Sequence, residues 1–227
     1  MPFIPRSIDL KNLSKQPIIV VLVCMGSIVT IIKHMNNSQN PDIEPLSRTQ
    51  ILIAMAVTAT ILFSVSKLWL YLGENQLRPL AFTITDLIFG IALGLGLTGL
   101  SAIVYAAWSE YRASADFYLA MVLKPLAIPD VIWLGILPGL SEELLFRGVM
   151  LPAIGLDPIG IILSSLCFGV LHMTNIQQWP YAVWATAIGL LLAFTMVETG
   201  NLLIPIVAHI TTNLVSGLVW KLNPPRC

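Results

Sequence analysis

The sequence predicts an all-α fold: a polytopic bundle of about seven transmembrane helices. Of the 227 residues, 56% are hydrophobic and only 11% are charged, whereas a soluble domain carries about 25% charged residues. The mean hydropathy is +0.84. Apolar runs that approach the roughly 20 residues needed to cross a bilayer recur along the whole chain.

Seven apolar runs are predicted to form the helices. They are residues 17–33, 50–72, 84–108, 130–151, 159–173, 181–197 and 202–220. The first follows basic residues, as a signal peptide does, but no small-residue cleavage site follows it, so we expect an uncleaved span. In the third, Gly90, Gly94 and Gly96 offer a small-residue face for close helix packing.

The segment 108–129 separates the third and fourth predicted helices. It mixes Glu110, Arg112 and Asp116 with aromatic and aliphatic residues, so we expect it to lie at the membrane interface rather than to cross. The chain is predicted to form one integral membrane domain. Residues 1–128 supply N-terminal helices, loops and this interfacial segment, and residues 129–227 supply the core helices.

Charge and cysteine content exclude several function classes. The formal net charge is zero and the chain has no basic cluster, so the sequence lacks the positive surface that nucleic-acid binding requires. The three cysteines, Cys24, Cys167 and Cys227, are isolated from one another, which argues against a disulfide framework and against a cysteine zinc site.

A charged stretch interrupts the fourth predicted helix, where Glu142, Glu143 and Arg147 lie within apolar sequence. An ion at the bilayer centre costs roughly 2.5–3.5 kcal/mol even on insertion scales, so these side chains should face the protein interior. Glu143 and Arg147 are four residues apart and can pair on one helix face. Glu142 is rotated from Glu143 by about 100° and should point into whatever site exists.

Two later helices carry polar pairs with the same spacing. His172 follows Phe168 by four residues, and Asn213 follows His209 by four, so each pair shares a helix face. Taken singly, each group is better explained as structural: a hydrogen-bonded core histidine, an ion pair or helix–helix contacts. Together on three neighbouring helices, they favour a hydrolytic site.

The residue types leave two arrangements open. In one, a glutamate and a histidine activate water, while a histidine and an asparagine stabilise the oxyanion of a tetrahedral intermediate. In the other, Glu142, His172 and His209 hold a catalytic zinc. The sequence has neither a His-Glu-x-x-His helix nor a Gly-x-Ser-x-Gly elbow, so the common zinc-protease and serine-hydrolase signatures are absent.

These motifs resemble the CPBP intramembrane proteases, a family that includes type II CAAX prenyl endopeptidases and bacterial Abi proteins, some of them linked to bacteriocin immunity. The family pattern is Glu-Glu-x-x-x-Arg, then Phe-x-x-x-His, then His-x-x-x-Asn or Asp, and it is matched in order by this chain. The run 199–202 is also similar. The resemblance covers about residues 130–220.

The resemblance implies a membrane-enclosed conical cavity and a glutamate-dependent endopeptidase. It implies that Glu142 and His172 activate water and that His209 and Asn213 form the oxyanion hole. Glu143, Arg147 and Phe168 would then support the site. We favour a site without metal because asparagine is an uncommon zinc ligand, with zinc on Glu142, His172 and His209 as the alternative.

The expected partners are the lipid bilayer and a peptide or protein substrate that enters from the membrane. The expected location is a bacterial-type plasma (inner) membrane or a related organelle membrane. Two further function classes compete with the protease. One is a non-catalytic membrane scaffold or immunity protein, and the other is a transporter, which lacks support because no internal repeat is visible.

Overall fold

The computed structural model describes residues 46–73, 76–173 and 175–223. The regular structure of these ranges is entirely helical, without a strand. The first predicted helix, residues 17–33, lies outside the described residues. The other six predicted helices all coincide with helical segments, so the all-α fold class is confirmed.

The helices are numbered here in chain order. They are α1 (Arg48–Leu72), α2 (Ile84–Ala107), α3 (Ser109–Leu123), α4 (Val131–Glu143), a π-helix (Leu144–Met150), α5 (Leu151–Ile154), α6 (Pro158–Leu171), α7 (Trp179–Thr199) and α8 (Leu203–Leu222), with 3₁₀ turns at Ile128–Asp130 and Ile176–Gln178. Local sequence sets several ends. Ser47 caps α1 in a capping box with Gln50, Asp157 caps α6, and Gly200 ends α7 with a φ of 66°.

Four helical segments are long and apolar enough to cross a membrane: α1, α2, Ile176–Thr199 and α8. A fifth span is added if α3 and Ile128–Ile154, which are bent by 108° relative to each other, count as one broken span. With 14 residues, α6 is shorter than a span. The protein is therefore an integral membrane helical bundle, but the predicted number of seven spans is not confirmed.

Helix α8 lies at the centre of the bundle because glycines on two neighbours allow close approach. A Cβ atom at Gly94 of α2 would lie 2.5 Å from the Ala208 carbonyl oxygen, and one at Gly139 of α4 would lie 2.5 Å from Ile210. Gly90 packs equally closely on Val207, as the predicted small-residue face requires. Gly96 does not belong to this face, because a Cβ there would meet nothing within 4 Å.

A hydrogen-bonded loop fixes the start of α8 beside the start of α2. The Asn201 amide donates to the Ala81 carbonyl oxygen at 2.8 Å and to Asp86 Oδ2 at 2.9 Å, and its oxygen accepts from the Ala81 N–H at 3.0 Å. Asn201 lies in the run 199–202 that the sequence resemblance includes. Its bonds hold two membrane helices in register at their shared end.

Helix α3 covers one side of the bundle. Tyr111 and Leu123 are buried, and Tyr118 stacks on Tyr181 of α7 with ring centroids 4.8 Å apart. The 108–129 segment is therefore packed onto the core through its aromatic face. Its location at the membrane interface stays a prediction.

Candidate active site

The charged stretch lies where α4 passes into the π-helix. Glu142 and Glu143 are the last residues of α4, and the Leu151 N–H donates to the Phe146 carbonyl five residues back. A π-helical turn redirects side chains and is often found at functional sites. The sequence carries no local signal for it, so the prediction of a regular helix over 130–151 missed it.

The predicted Glu143–Arg147 ion pair is present and completely buried. Arg147 Nη1 donates to Glu143 Oε1 at 2.8 Å, and both side chains are 0% exposed. Arg147 Nη2 donates to the Gly189 carbonyl at 3.0 Å, and the guanidinium carbon lies 4.3 Å from the Phe168 ring centroid. Arg147 therefore ties the π-helix to both α6 and α7.

Glu143 has a second partner that the sequence did not predict. His209 Nδ1 lies 2.8 Å from the same Oε1 atom that accepts from Arg147. An ionised carboxylate can only accept hydrogen bonds, so Nδ1 carries the proton. The contact therefore fixes the orientation of the His209 ring on α8.

His172 is oriented in a similar way by its own helix. Its Nδ1 atom lies 2.8 Å from the Phe168 carbonyl oxygen, which can only accept, so this nitrogen also carries a proton. The Phe168 ring packs against the imidazole with centroids 4.6 Å apart. The spacing of four residues in Phe-x-x-x-His thus provides both a hydrogen bond and a packing contact.

The Glu142 carboxylate lies between the two imidazoles. Its Oε2 atom is 3.7 Å from His172 Nε2 and 4.0 Å from His209 Nε2. These distances exceed those of a direct hydrogen bond, and Oε2 has no hydrogen-bond partner among the described residues. A water at about 2.8 Å from Oε2 and from one Nε2 atom would bridge either gap.

All four residues predicted to act in catalysis line one cavity of about 160 Å³. Asn213 lies one turn beyond His209 on α8. Helices α2, α3, α4, α6, α7 and α8 contribute the lining residues, which include Tyr118, Tyr181 and Trp184. The spacing argument thus predicted that Glu142, His172, His209 and Asn213 come together, but it did not identify the aromatic residues, which enter through the packing of α3 and α7.

Comparison with known proteins locates the resemblance on the same residues. Residues 124–215 match the family model described as type II CAAX prenyl endopeptidase Rce1-like. This segment carries all three motifs. The resemblance to CPBP intramembrane proteases is therefore confirmed for this part of the chain, and it supports an intramembrane protease of the CAAX type.

A curated relative covers a similar length of chain. The uncharacterized protein YpbD of Bacillus subtilis (strain 168) is 38% identical over 89 residues, which are 39% of this chain and 44% of YpbD. The match thus spans less than half the length of that relative. No solved structure matches the chain.

The distances between the candidate zinc ligands can be compared with those of a zinc site. A tetrahedral zinc with bonds of about 2.0–2.1 Å holds its ligand atoms about 3.3–3.4 Å apart. The Glu142–His172 and Glu142–His209 distances of 3.7 and 4.0 Å are longer. Across residues 46–73, 76–173 and 175–223, no three His, Cys, Asp or Glu side chains are grouped as metal ligands. The metal-free site and the zinc alternative both stay predictions.

Proposed function

We propose that this protein is an intramembrane endopeptidase that hydrolyses peptide bonds with a water molecule activated by Glu142 and His172. The observation that carries the proposal is the unpartnered Glu142 oxygen, which faces two oriented imidazoles in a cavity between membrane helices. A partly buried carboxylate with no protein donor needs a hydrogen-bonding partner, and water can supply it.

Water activation follows from the positions of the proton acceptors. With its proton on Nδ1, His172 presents an Nε2 lone pair 3.7 Å from Glu142 Oε2. One water can donate to both atoms. As its oxygen bonds to the substrate carbonyl carbon, one water proton passes to Glu142, and the carbonyl π electrons move to the carbonyl oxygen.

Oxyanion stabilisation is assigned to Asn213 and His209. The Asn213 amide is a neutral donor. His209 Nδ1 already donates to Glu143, so donation from Nε2 to the oxyanion requires a proton on each ring nitrogen, and Glu143 holds the ring in place for it. This arrangement gives Glu143 a role in the chemistry as well as in the ion pair.

The second step returns the proton. The oxyanion re-forms the carbonyl, the carbon–nitrogen bond breaks, and the leaving nitrogen takes the proton held by Glu142. The products are a carboxylic acid and an amine. The substrate class is a peptide or protein segment that reaches the cavity from the membrane.

Cleavage of a quenched fluorescent peptide library by the purified full-length protein in detergent micelles tests the proposal. We expect new amino termini from one or more peptides, identified by mass spectrometry. A well-folded protein that cleaves no peptide, either in micelles or in bilayer nanodiscs, would instead favour the non-catalytic scaffold.

Metal removal should leave this activity unchanged, because the mechanism uses only protein groups and water. The measurement is the cleavage rate before and after dialysis against a strong chelator, with elemental analysis of the same samples. Loss of activity that added zinc restores, together with about one equivalent of bound metal, would overturn the metal-free mechanism.

A further inference from the structure

Helix α8 carries more polar residues towards the cavity than the proposed chemistry uses. Thr212, Asn213 and Ser216 follow His209 by three, four and seven residues, and all of them line the cavity. This spacing places them on one helix face. Among the described residues, no side-chain hydrogen bond links Ser216 to the groups assigned to water activation or to the oxyanion.

The cavity extends well beyond Glu142. On α8 its lining runs from His209 to Gly217, and on α4 it runs from Glu142 back to Leu134. Eight residues of helix span about 12 Å, so the cavity has a catalytic end and a distant end. Ser101 of α2 adds a second hydroxyl to the lining, and its oxygen accepts from Trp184 Nε1 at 3.2 Å.

The size and the polar groups of the cavity suit water. A water occupies about 30 Å³ in the liquid, so about 160 Å³ accommodates on the order of five molecules. Ser216 makes no side-chain hydrogen bond to any residue in the described ranges. Ser216 is half-buried and lines the cavity, so its hydroxyl is available to bind a water there.

Apolar packing surrounds Gly217 at the distant end. A Cβ atom at Gly217 would lie 2.9 Å from Val131 and 3.3 Å from Leu134, with Leu123 at 3.8 Å. Leu123 and Val131 belong to a buried apolar cluster with Ile51 and Leu126. Water beside Ser216 therefore meets apolar side chains at the distant end of the cavity. The polar groups of the catalytic end lie on its other side.

From this arrangement we infer that Ser216 and Ser101 form a water-retention site that supplies hydrolytic water to Glu142. Each turnover consumes one water, and the Glu142 and His172 side chains at the catalytic end are only 16% and 18% exposed, so few waters reach them directly. The supply of water for hydrolysis rests on the proposed peptidase function. The presence of retained water can be measured separately.

Kinetics of Ser216→Val test the supply of water. Loss of one water-binding hydroxyl should lower kcat about two- to tenfold, the effect of one hydrogen bond, and should leave KM nearly unchanged. The matched control is Thr60→Val on α1, where an exposed hydroxyl bonds the Ala56 carbonyl away from the cavity, and its kinetics should not change. A raised KM with unchanged kcat would overturn the inference, because Ser216 would then contact substrate.

X-ray radiolysis in nanodiscs, read by mass spectrometry, detects the water without any substrate. Hydroxyl radicals formed from bound water should modify Tyr118 and Trp184 in the cavity, and Phe194, which is 55% exposed on the lipid side of α7, should stay unmodified. Ser216→Val should reduce modification of the cavity residues. Unmodified cavity residues, or equal modification in the variant, would overturn the inference. Modification that depends on Ser216 in a protein without cleavage activity would uphold the water site and count against the peptidase instead.

Discussion

Glu142→Gln is expected to abolish peptide hydrolysis and to leave the fold intact. Gln keeps the size of the side chain but cannot accept the proton of the attacking water, and loss of a general base typically costs about 10²–10⁴ in rate. Glu142 Oε2 makes no direct hydrogen bond within the described residues, so the substitution removes no protein contact at that atom. The measurement is kcat/KM on a cleaved peptide together with the thermal unfolding midpoint in micelles.

The control for this variant is Glu198→Gln, which removes an exposed carboxylate at the end of α7 and should change neither quantity.

Two further variants compare how much His172 and Asn213 contribute to the rate. His172→Ala should be as damaging as Glu142→Gln, because in the proposed mechanism both side chains contact the same water. Asn213→Ala should retain more activity, since loss of one oxyanion donor costs about 10²–10³. Glu142→Gln with near wild-type turnover would remove the basis of the mechanism.

Most of the site geometry could be predicted from residue spacing because its key contacts are local. The Glu143–Arg147 pair and the Phe168–His172 contact each span one helical turn, so a helix alone brings their partners together. The convergence of the three helices was inferred from the free-energy cost of placing polar side chains in apolar membrane helices. Isolated ions and imidazoles in apolar helices are costly, and a shared cavity reduces that cost.

The remaining features depend on tertiary packing. Glu143 and His209 are 66 residues apart, and their contact follows from the close approach of α4 and α8 at Gly135 and Gly139. No residue pattern predicts the π-helix, because apolar residues at 144–146 suit an α-helix equally well. The predicted number of seven spans is not confirmed, because α6 has only 14 residues and Ile128–Ile154 counts as a span only together with α3, from which it is bent by 108°.

One oxygen atom of Glu143 contributes both to the stability of the helix bundle and to the orientation of a residue in the candidate active site. Arg147 and His209 both donate to Oε1, so the carboxylate that neutralises a buried guanidinium also orients an imidazole in the cavity. A sequence-based interpretation that assigns Glu143 to helix stability alone omits this second effect. Disturbing Arg147 should therefore change both properties.

Arg147→Ala is expected to destabilise the protein by about 3–5 kcal/mol, because removing one member of a buried ion pair strands the other charge. Both side chains are 0% exposed, and the variant also removes the hydrogen bond from Arg147 to the Gly189 carbonyl of α7. Arg147→Lys should be intermediate, since lysine keeps the charge but loses the planar, multidentate geometry. The measurement is the unfolding midpoint and yield in micelles, with residual activity recorded on the folded fraction.

The matched control is Arg48→Ala, which removes the 57%-exposed member of the Arg48–Asp130 pair and should cost at most about 1 kcal/mol. The contrast isolates burial of the arginine, because Asp130, whose side chain is only 6% exposed, keeps its hydrogen bond from the Ala127 N–H. Glu143 in the Arg147→Ala protein keeps only His209 as a donor, so its carboxylate is free to rotate, and the orientation of His209 towards the cavity should relax. Equal stability losses in the two variants would show that burial does not strengthen the Glu143–Arg147 pair. A strongly destabilised Arg147→Ala protein with full activity on its folded fraction would show that Glu143 holds His209 without help from Arg147.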